Sequence, residues 1–368
     1  MMRLLMWASS YGQTIGGGPV LAPLLAAALV RRGHEVTVLT DRRPESLAEE
    51  EQCDGVRIHR PLFRRALAGE VALIPDIRRG VAALKNETRP DLAFIFSSGY
   101  GEFFHHLTSG RRPLPLIVGL HDLFEEKEYR PDSIVGKNLR AANQITACSF
   151  AVLERALAYL PALRPISAVI HNALPAPTWT ACFPSPPAMT LAFAGRLIAK
   201  KGAATLIAAM DLLKDRYPML QLSLAGEGDE RPALEADAGR RGLASQISFA
   251  GRLPHDAIYP FLASAALVAV PSRSEPFGLV ALEAAQAGRP VVASAVDGLP
   301  EVVEHGRTGL LVPPEDAAAL AGAIASLLDD PERASAMGKA GRRRAEGEFS
   351  WDRYVDAHED LFQRVLGQ

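Results

Sequence analysis

The chain has 368 residues, about two domains' worth rather than one ordinary core. Hydrophobic residues at 48% and charged residues at 22% make a globular composition and exclude a disordered or fibrous chain. With 40 basic against 42 acidic side chains, the formal charge of −2 provides no polybasic field, so nucleic acid is not an expected partner.

Met1–Ser10 carries one Arg and a short apolar run, which reads as a first buried strand over Leu4–Ala8 rather than as a secretory segment. The pattern then predicts a helix over Pro19–Arg32, a strand over Glu35–Thr40, a helix over Asp76–Glu87 and strands over Leu92–Phe96, Leu116–Leu120 and Gln144–Ala147. Such alternation implies a parallel sheet covered on both faces. Between Pro175 and Pro187 five prolines interrupt all periodicity, as in an interdomain linker. The alternation restarts with strands over Thr190–Ala194, Gln221–Ala225, Gln246–Phe249, Ala266–Val270 and Val291–Ser294, and helices over Ala203–Arg216 and Leu279–Ala287. Trp351–Leu366 is an amphipathic helix. The expected fold is therefore α/β, with one domain over 1–174, a linker over 175–187, a second domain over 188–350 and a terminal helix over 351–368. Ligands of two open parallel sheets belong at the carboxyl ends of the strands, in the cleft between the domains.

Cys53, Cys148 and Cys182 stand singly without CxxC spacing, so neither a disulfide framework nor a zinc site is indicated, and a reducing cytoplasm is the expected compartment. No apolar stretch reaches the roughly 18 to 20 residues that span a bilayer. Paired arginines at Arg64-Arg65, Arg78-Arg79 and Arg111-Arg112 leave peripheral contact with anionic lipid open beside the plainer reading as solvated faces.

Val270–Glu283 reads VPSRSEPFGLVALE: a buried strand, a loop with Ser274, Glu275 and Pro276, then a helix starting near Gly278. Free N–H groups at such a start cradle phosphate. Glu275 just before it and Glu283 within the helix suit sugar hydroxyls, because an ionised carboxylate only accepts. Taken alone, Glu275 reads more simply as a helix-start acid on the dipole and Glu283 as a solvent-facing residue. After the strand over Thr190–Ala194, the run GRLIAKKG puts Arg196 and Lys201 on the loop opening the next helix, where they could neutralise a diphosphate. Either could instead be merely solvated.

These residues resemble the retaining glycosyltransferases of GT-B architecture, the glycosyltransferase family 4 and group 1 relatives that include glycogen synthase, sucrose synthase and many bacterial mannosyltransferases. The resemblance covers nearly the whole chain. It is most specific over Ala194–Pro314, where GRLIAKKG, LAGEGDE, PSRSEPFGLVALEAAQAGRPVVAS and EHGRTGLLVPP follow one another in the family's order. It implies two Rossmann-like domains, an N-terminal acceptor domain and a C-terminal donor domain, with the last helix crossing back onto the first. It further implies that Arg196 and Lys201, beside Gly195, hold the donor diphosphate. On the same basis Glu275 lies near the transferred sugar, Glu283 on the ribose, Phe277, Gly278 and Leu279 along sugar and phosphate, and Leu253, in the turn Gly251-Arg252-Leu253, beside the nucleobase. Gly16-Gly17-Gly18 look like the family's glycine loop, and His121 like its active-site histidine, with Asp122 orienting it or capping a turn. Asp297-Gly298 departs from the more usual Gly-Gly, and His171-Asn172-Ala173 from Asn-Gly.

The implied activity is transfer of a hexosyl group from a nucleotide diphosphate sugar (UDP-, GDP- or ADP-linked) to an acceptor hydroxyl on lipid, polysaccharide or small molecule, with retention. No Asp-x-Asp occurs, so neither a metal nor a cofactor is expected. Rival readings are an epimerase or hydrolase on the same architecture, a non-catalytic nucleotide-sugar sensor, and a nicotinamide dehydrogenase prompted by Asp41. The absence of a G-x-G-x-x-G at the first helix weighs against the last.

Overall fold

The structure is a computed structural model that describes residues 1–12, 17–110, 114–177 and 189–367. Gly16, Arg111-Arg112, Cys182 and all but the start of the proline-rich stretch lie outside the described residues. The chain divides into two compact units, Met1–His171 with Asp352–Gln368, and Asn172–Trp351. The break falls before Asn172 instead of after Leu174. Its cause is local: buried Gln286 donates from Nε2 to Leu174 O at 3.0 Å and to Pro175 O at 3.4 Å, tying those residues to the second unit.

The first unit holds β1 (Arg3–Ala8), β2 (Glu35–Thr40), β3 (Glu50–Cys53), β4 (Val56–His59), β5 (Leu92–Ser97), β6 (Leu116–Leu120), β7 (Gln144–Ala147) and β8 (Ser167–Val169), in spatial order β3-β4-β2-β1-β5-β6-β7-β8. All neighbours are parallel except β3 with β4. That hairpin turns through Asp54 at φ +50° and Gly55 at φ +77°, the two left-handed residues a tight hairpin needs. Its strand EEQC is exposed throughout and carries no apolar alternation, so the pattern of the sequence does not reveal it. The continuous apolar runs of β1, β5 and β6 are buried because helices cover both faces.

The terminal helix Trp351–Leu366 belongs to this unit. Its apolar stripe meets β5, with Phe94 ring centroids 5.2 Å from Phe362 and 5.8 Å from His358. Arg32 fastens its polar side to Asp356 at 2.6 Å and Glu359 at 2.7 Å.

The second unit holds β9 (Thr190–Ala194), β10 (Gln221–Ala225), β11 (Ile247–Gly251), β12 (Leu267–Val270), β13 (Val291–Ser294) and β14 (Gly309–Val312), all parallel, in order β11-β10-β9-β12-β13-β14. This is the doubly wound nucleotide-binding order. Both sheets are thus Rossmann-like, as the alternation of apolar runs predicts. No helix among the described residues is long and apolar enough to cross a membrane.

Glu102, 2% exposed, starts the short helix after β5 and accepts from Gly99 N at 2.6 Å through Oε1. Burial pushes its carboxyl up to about 8. Between the ordinary carboxylate range and that value the native state holds a proton that the unfolded chain has lost, so this group's contribution to stability falls as pH rises through the window. Glu102→Gln, which cannot ionise, is expected to flatten the fall in unfolding free energy between pH 5 and 8 by up to about 1.4 kcal/mol per pH unit. Denaturant melts of wild type and variant at both pH values test this; identical pH slopes would contradict it.

Candidate functional site

The second sheet reverses its strand order at β9: β10 and β11 lie to one side, β12 to β14 to the other. A reversal of this kind opens a crevice above the carboxyl ends of β9 and β12. Residues 195–198 leave β9 and enter the single turn Ala199–Lys201, while residues 271–277 leave β12 and enter the helix Leu279–Gln286. The two loops are fastened together. Arg273 N donates to Lys200 O at 2.8 Å, and Gly202, at φ +68°, comes so near that a Cβ there would stand 1.9 Å from Pro271 O.

At the junction Lys201 Nζ lies 2.5 Å from Glu275 Oε2, the side chains being 24% and 13% exposed. Ser272 Oγ donates to the same carboxylate oxygen at 3.2 Å. Glu275's backbone is held from the loop after β13: its N–H donates to Asp297 Oδ2 at 3.0 Å, and its carbonyl accepts from Gly298 N at 3.0 Å. Asp297 sits at φ +45°, a conformation Asp tolerates better than most residues. A Cβ on Gly298 would stand 2.3 Å from Pro276 O. The departure from Gly-Gly thus keeps the small residue where space demands it and uses the other position to hold Glu275.

Gly278, at φ +105°, starts the helix Leu279–Gln286, and no side chain caps it. Its first backbone N–H groups therefore remain available to an anion above the strands. Arg196 follows β9, is exposed, and makes no ion pair among the described residues. Glu283 is deeper; burial pushes its carboxyl up to about 8. His255 Nε2 stands 3.8 Å from Glu283 Oε1. Leu253 lies in the turn between β11 and the helix His255–Ala263, so His255 links that turn to Glu283. Phe277 is buried, its ring 5.7 Å from Phe349. The sequence-predicted residues Lys201 and Glu275 are in contact, then, whereas Arg196 and Glu283 flank the pair without bonding to it.

His121, Gly17 and Gly18 belong to the first unit. The helix there begins at Gly17, so Gly17 and Gly18 form its first turn rather than a loop preceding Pro19; a proline in the first turn loses no intrahelical hydrogen bond, so the helix can start ahead of it. His121 follows β6 and stacks on Phe96 with ring centroids 4.5 Å apart and planes 26° apart. Burial, with His358 adding to it, pushes its imidazole down to about 3, which keeps the ring neutral. Its Nδ1 is buried without a hydrogen-bond partner. Asp41 Oδ1 accepts from Arg64 N at 3.0 Å, a structural cap where a dehydrogenase would need a ribose ligand. No group of three or more His, Cys, Asp or Glu among the described residues could hold a metal ion.

Two families match the sequence, Glycosyltransferase Family 4 over residues 15–176 and Glycosyl transferases group 1 over residues 186–344. The chain belongs to the GT-B glycosyltransferases. Glycogen synthase from Mycobacterium tuberculosis is 35% identical over 227 residues, 61% of this chain and 55% of that protein, so the matched stretch spans about half the relative's length. Alpha-maltose-1-phosphate synthase from Mycolicibacterium smegmatis is 28% identical over 99% of this chain and 100% of its own. Among solved structures, Anabaena HepE in complex with UDP-glucose superposes with a TM-score of 0.78 at 22% identity, covering 100% of both chains.

In this GT-B chain, sequence reasoning gave no site role to two residues that hold Glu275, Ser272 and Asp297, or to His255 beside Glu283. Ser272 stands three positions before Glu275 and had a readable local signal. Asp297 and His255 reach the site only through the packing of separate βα units, which no local pattern encodes. The paired arginines expected on the surface are partly neutralised. Arg65 pairs with Glu45 at 2.9 Å and Glu70 at 2.5 Å, and Arg79 pairs with Asp76.

Proposed function

We propose that the protein transfers a hexosyl group from a nucleotide diphosphate sugar to an acceptor hydroxyl with retention of anomeric configuration, without metal or cofactor, in the cytoplasm. The observation that carries the reading is the Lys201–Glu275 contact at the strand-order reversal, beside the uncapped helix start at Gly278. A diphosphate bound there draws on the Lys201 ammonium, the Arg196 guanidinium and the first N–H groups of the helix, which together offset the charge developing as the phosphate leaves. Glu275 orients Lys201 and accepts from hydroxyls of the transferred sugar. Glu283 accepts from the ribose hydroxyls, whose donated hydrogen bonds favour its ionised form against the burial that opposes it. Gly195, Phe277 and Leu279 line the sugar and phosphates, and Leu253 the nucleobase. On the family resemblance, His121 is assigned to the transferred sugar, and Gly17 and Gly18 to the donor phosphates.

In the reaction the bond from the anomeric carbon to the leaving phosphate oxygen breaks and a bond to the acceptor oxygen forms on the same face. The acceptor proton passes to the departing phosphate, which Lys201 and Arg196 stabilise. HepE, crystallised with UDP-glucose, supports a nucleotide-sugar donor for a protein of this fold. The test is proton NMR of the product formed from an α-linked donor in excess EDTA. An α-linked product, dependent on added acceptor, is expected. A β-linked product would overturn retention, loss of activity in EDTA would overturn metal independence, and turnover without acceptor would favour hydrolysis or epimerisation.

A further inference from the structure

His121 does not stand alone on its strand. Its ring lies face to face with Phe96 at 4.5 Å; Phe96 meets Phe94 edge-on at 5.8 Å; Phe94 meets His358 at 5.8 Å; and His358 meets Tyr354 at 4.4 Å. Phe94 and Phe96 alternate along β5 and so share one face of the first sheet. That face is covered by the terminal helix, which contributes His358, Tyr354 and Phe362. The rings form a continuous column from the last helix of the chain to the end of β6. All of it lies within the first unit.

Two features mark the column as more than filler. His358 is a 2% exposed imidazole at a position where a leucine would serve the apolar stripe equally well. Its Nδ1 is committed to Tyr354 O at 2.9 Å, one helical turn back, which fixes its ring plane and tautomer. At the other end, His121 has a buried Nδ1 without a partner, so no hydrogen bond orients that imidazole; its plane is set by the face of Phe96. An imidazole that must present one nitrogen to a reacting sugar has to be held in angle as well as in place.

We infer that Phe96 and His358 are positioning residues for His121, and that the terminal helix, through this ring column, sets the plane in which His121 meets the transferred sugar. The inference rests on the assignment of His121 to the donor sugar made above, and the experiment separates the two. The variants are Phe96→Leu and His358→Leu, which keep apolar volume but remove the ring; His358→Phe, which keeps the ring; His121→Ala; and the double variant His121→Ala with Phe96→Leu. Each is first checked for a wild-type melting profile. Steady-state transfer from the preferred nucleotide sugar is then measured for kcat and donor KM.

Phe96→Leu and His358→Leu are expected to lower kcat by about tenfold, the effect of a small misplacement of a reacting group, with donor KM within about twofold of wild type. His358→Phe is expected to restore most of kcat. In the His121→Ala background, Phe96→Leu is expected to add nothing, because residues acting through one another are not additive. The inference fails if Phe96→Leu lowers kcat as much without His121 as with it, if His358→Phe is as impaired as His358→Leu, or if the leucine variants keep wild-type kcat. If His121→Ala alone keeps wild-type kcat, the assignment of His121 fails first, and the positioning role falls with it.

Discussion

Lys201→Ala lowers kcat for sugar transfer by about a hundred- to a thousandfold, the usual cost of removing one charge-stabilising donor from a site where a leaving group develops charge. The expectation follows from where the ammonium stands. It is held 2.5 Å from Glu275 at the reversal of strand order in its sheet, beside a helix start that no side chain caps. Lys201→Arg keeps the charge but replaces a compact ammonium with a planar fork, and recovers only part of the rate. Glu275→Gln leaves Lys201 without its counter-charge and removes an acceptor for the sugar, so its loss falls on kcat as well. Release of nucleoside diphosphate from the donor, followed with saturating acceptor, gives these rates directly. Wild-type turnover by Lys201→Ala would remove the leaving-group assignment, whereas a rise in donor KM with unchanged kcat would make Lys201 a ground-state binder only.

Gly202→Ala destabilises the second unit by about 3 kcal/mol and disrupts the site at the same time. The φ of +68° costs any L-residue with a Cβ about 1 to 2 kcal/mol. The remainder comes from overlap: the added carbon stands 1.9 Å from Pro271 O, a backbone atom at the end of β12 that cannot yield without moving the loop carrying Glu275. Gly242 provides the internal control. It has φ +72° but nothing within 4 Å of an added Cβ, so Gly242→Ala costs the conformational part alone. Denaturant unfolding of the two variants separates the contributions. Equal losses at both positions would show that contact between the loops after β9 and β12 contributes nothing.

Much of this was legible from the sequence because parallel sheets bury their strands on both faces. The run LIVGL is buried throughout, EVTVLT and TLAFA are buried after their first residue, and each is a strand with the bounds its pattern implies. The hairpin strand Glu50–Cys53 was not legible, since an exposed edge strand has no buried face to write into its sequence. Its Asp54-Gly55 turn was the available signal. At the site, the runs containing Lys201 and Glu275 carried enough local information to predict a phosphate-binding helix start, but their contact joins residues 74 apart in the chain. Asp297 holds Glu275 from a third βα unit and His255 approaches Glu283 from a fourth, geometry that only the assembled sheet creates. The column from His358 to His121 is of the same kind, because the terminal helix reaches β5 after the whole second unit has intervened.

The most direct test of a nucleotide-sugar donor site in the second unit is thermal unfolding of wild type and Glu283→Ala with UDP, GDP, ADP and NAD in turn. A nucleotide at 100 times its dissociation constant stabilises the native state by about 2.7 kcal/mol, enough to rank the bases. One nucleoside diphosphate is expected to raise the melting temperature of wild type and to lose most of that effect in Glu283→Ala. Stabilisation by NAD alone, or by no nucleotide, would contradict it.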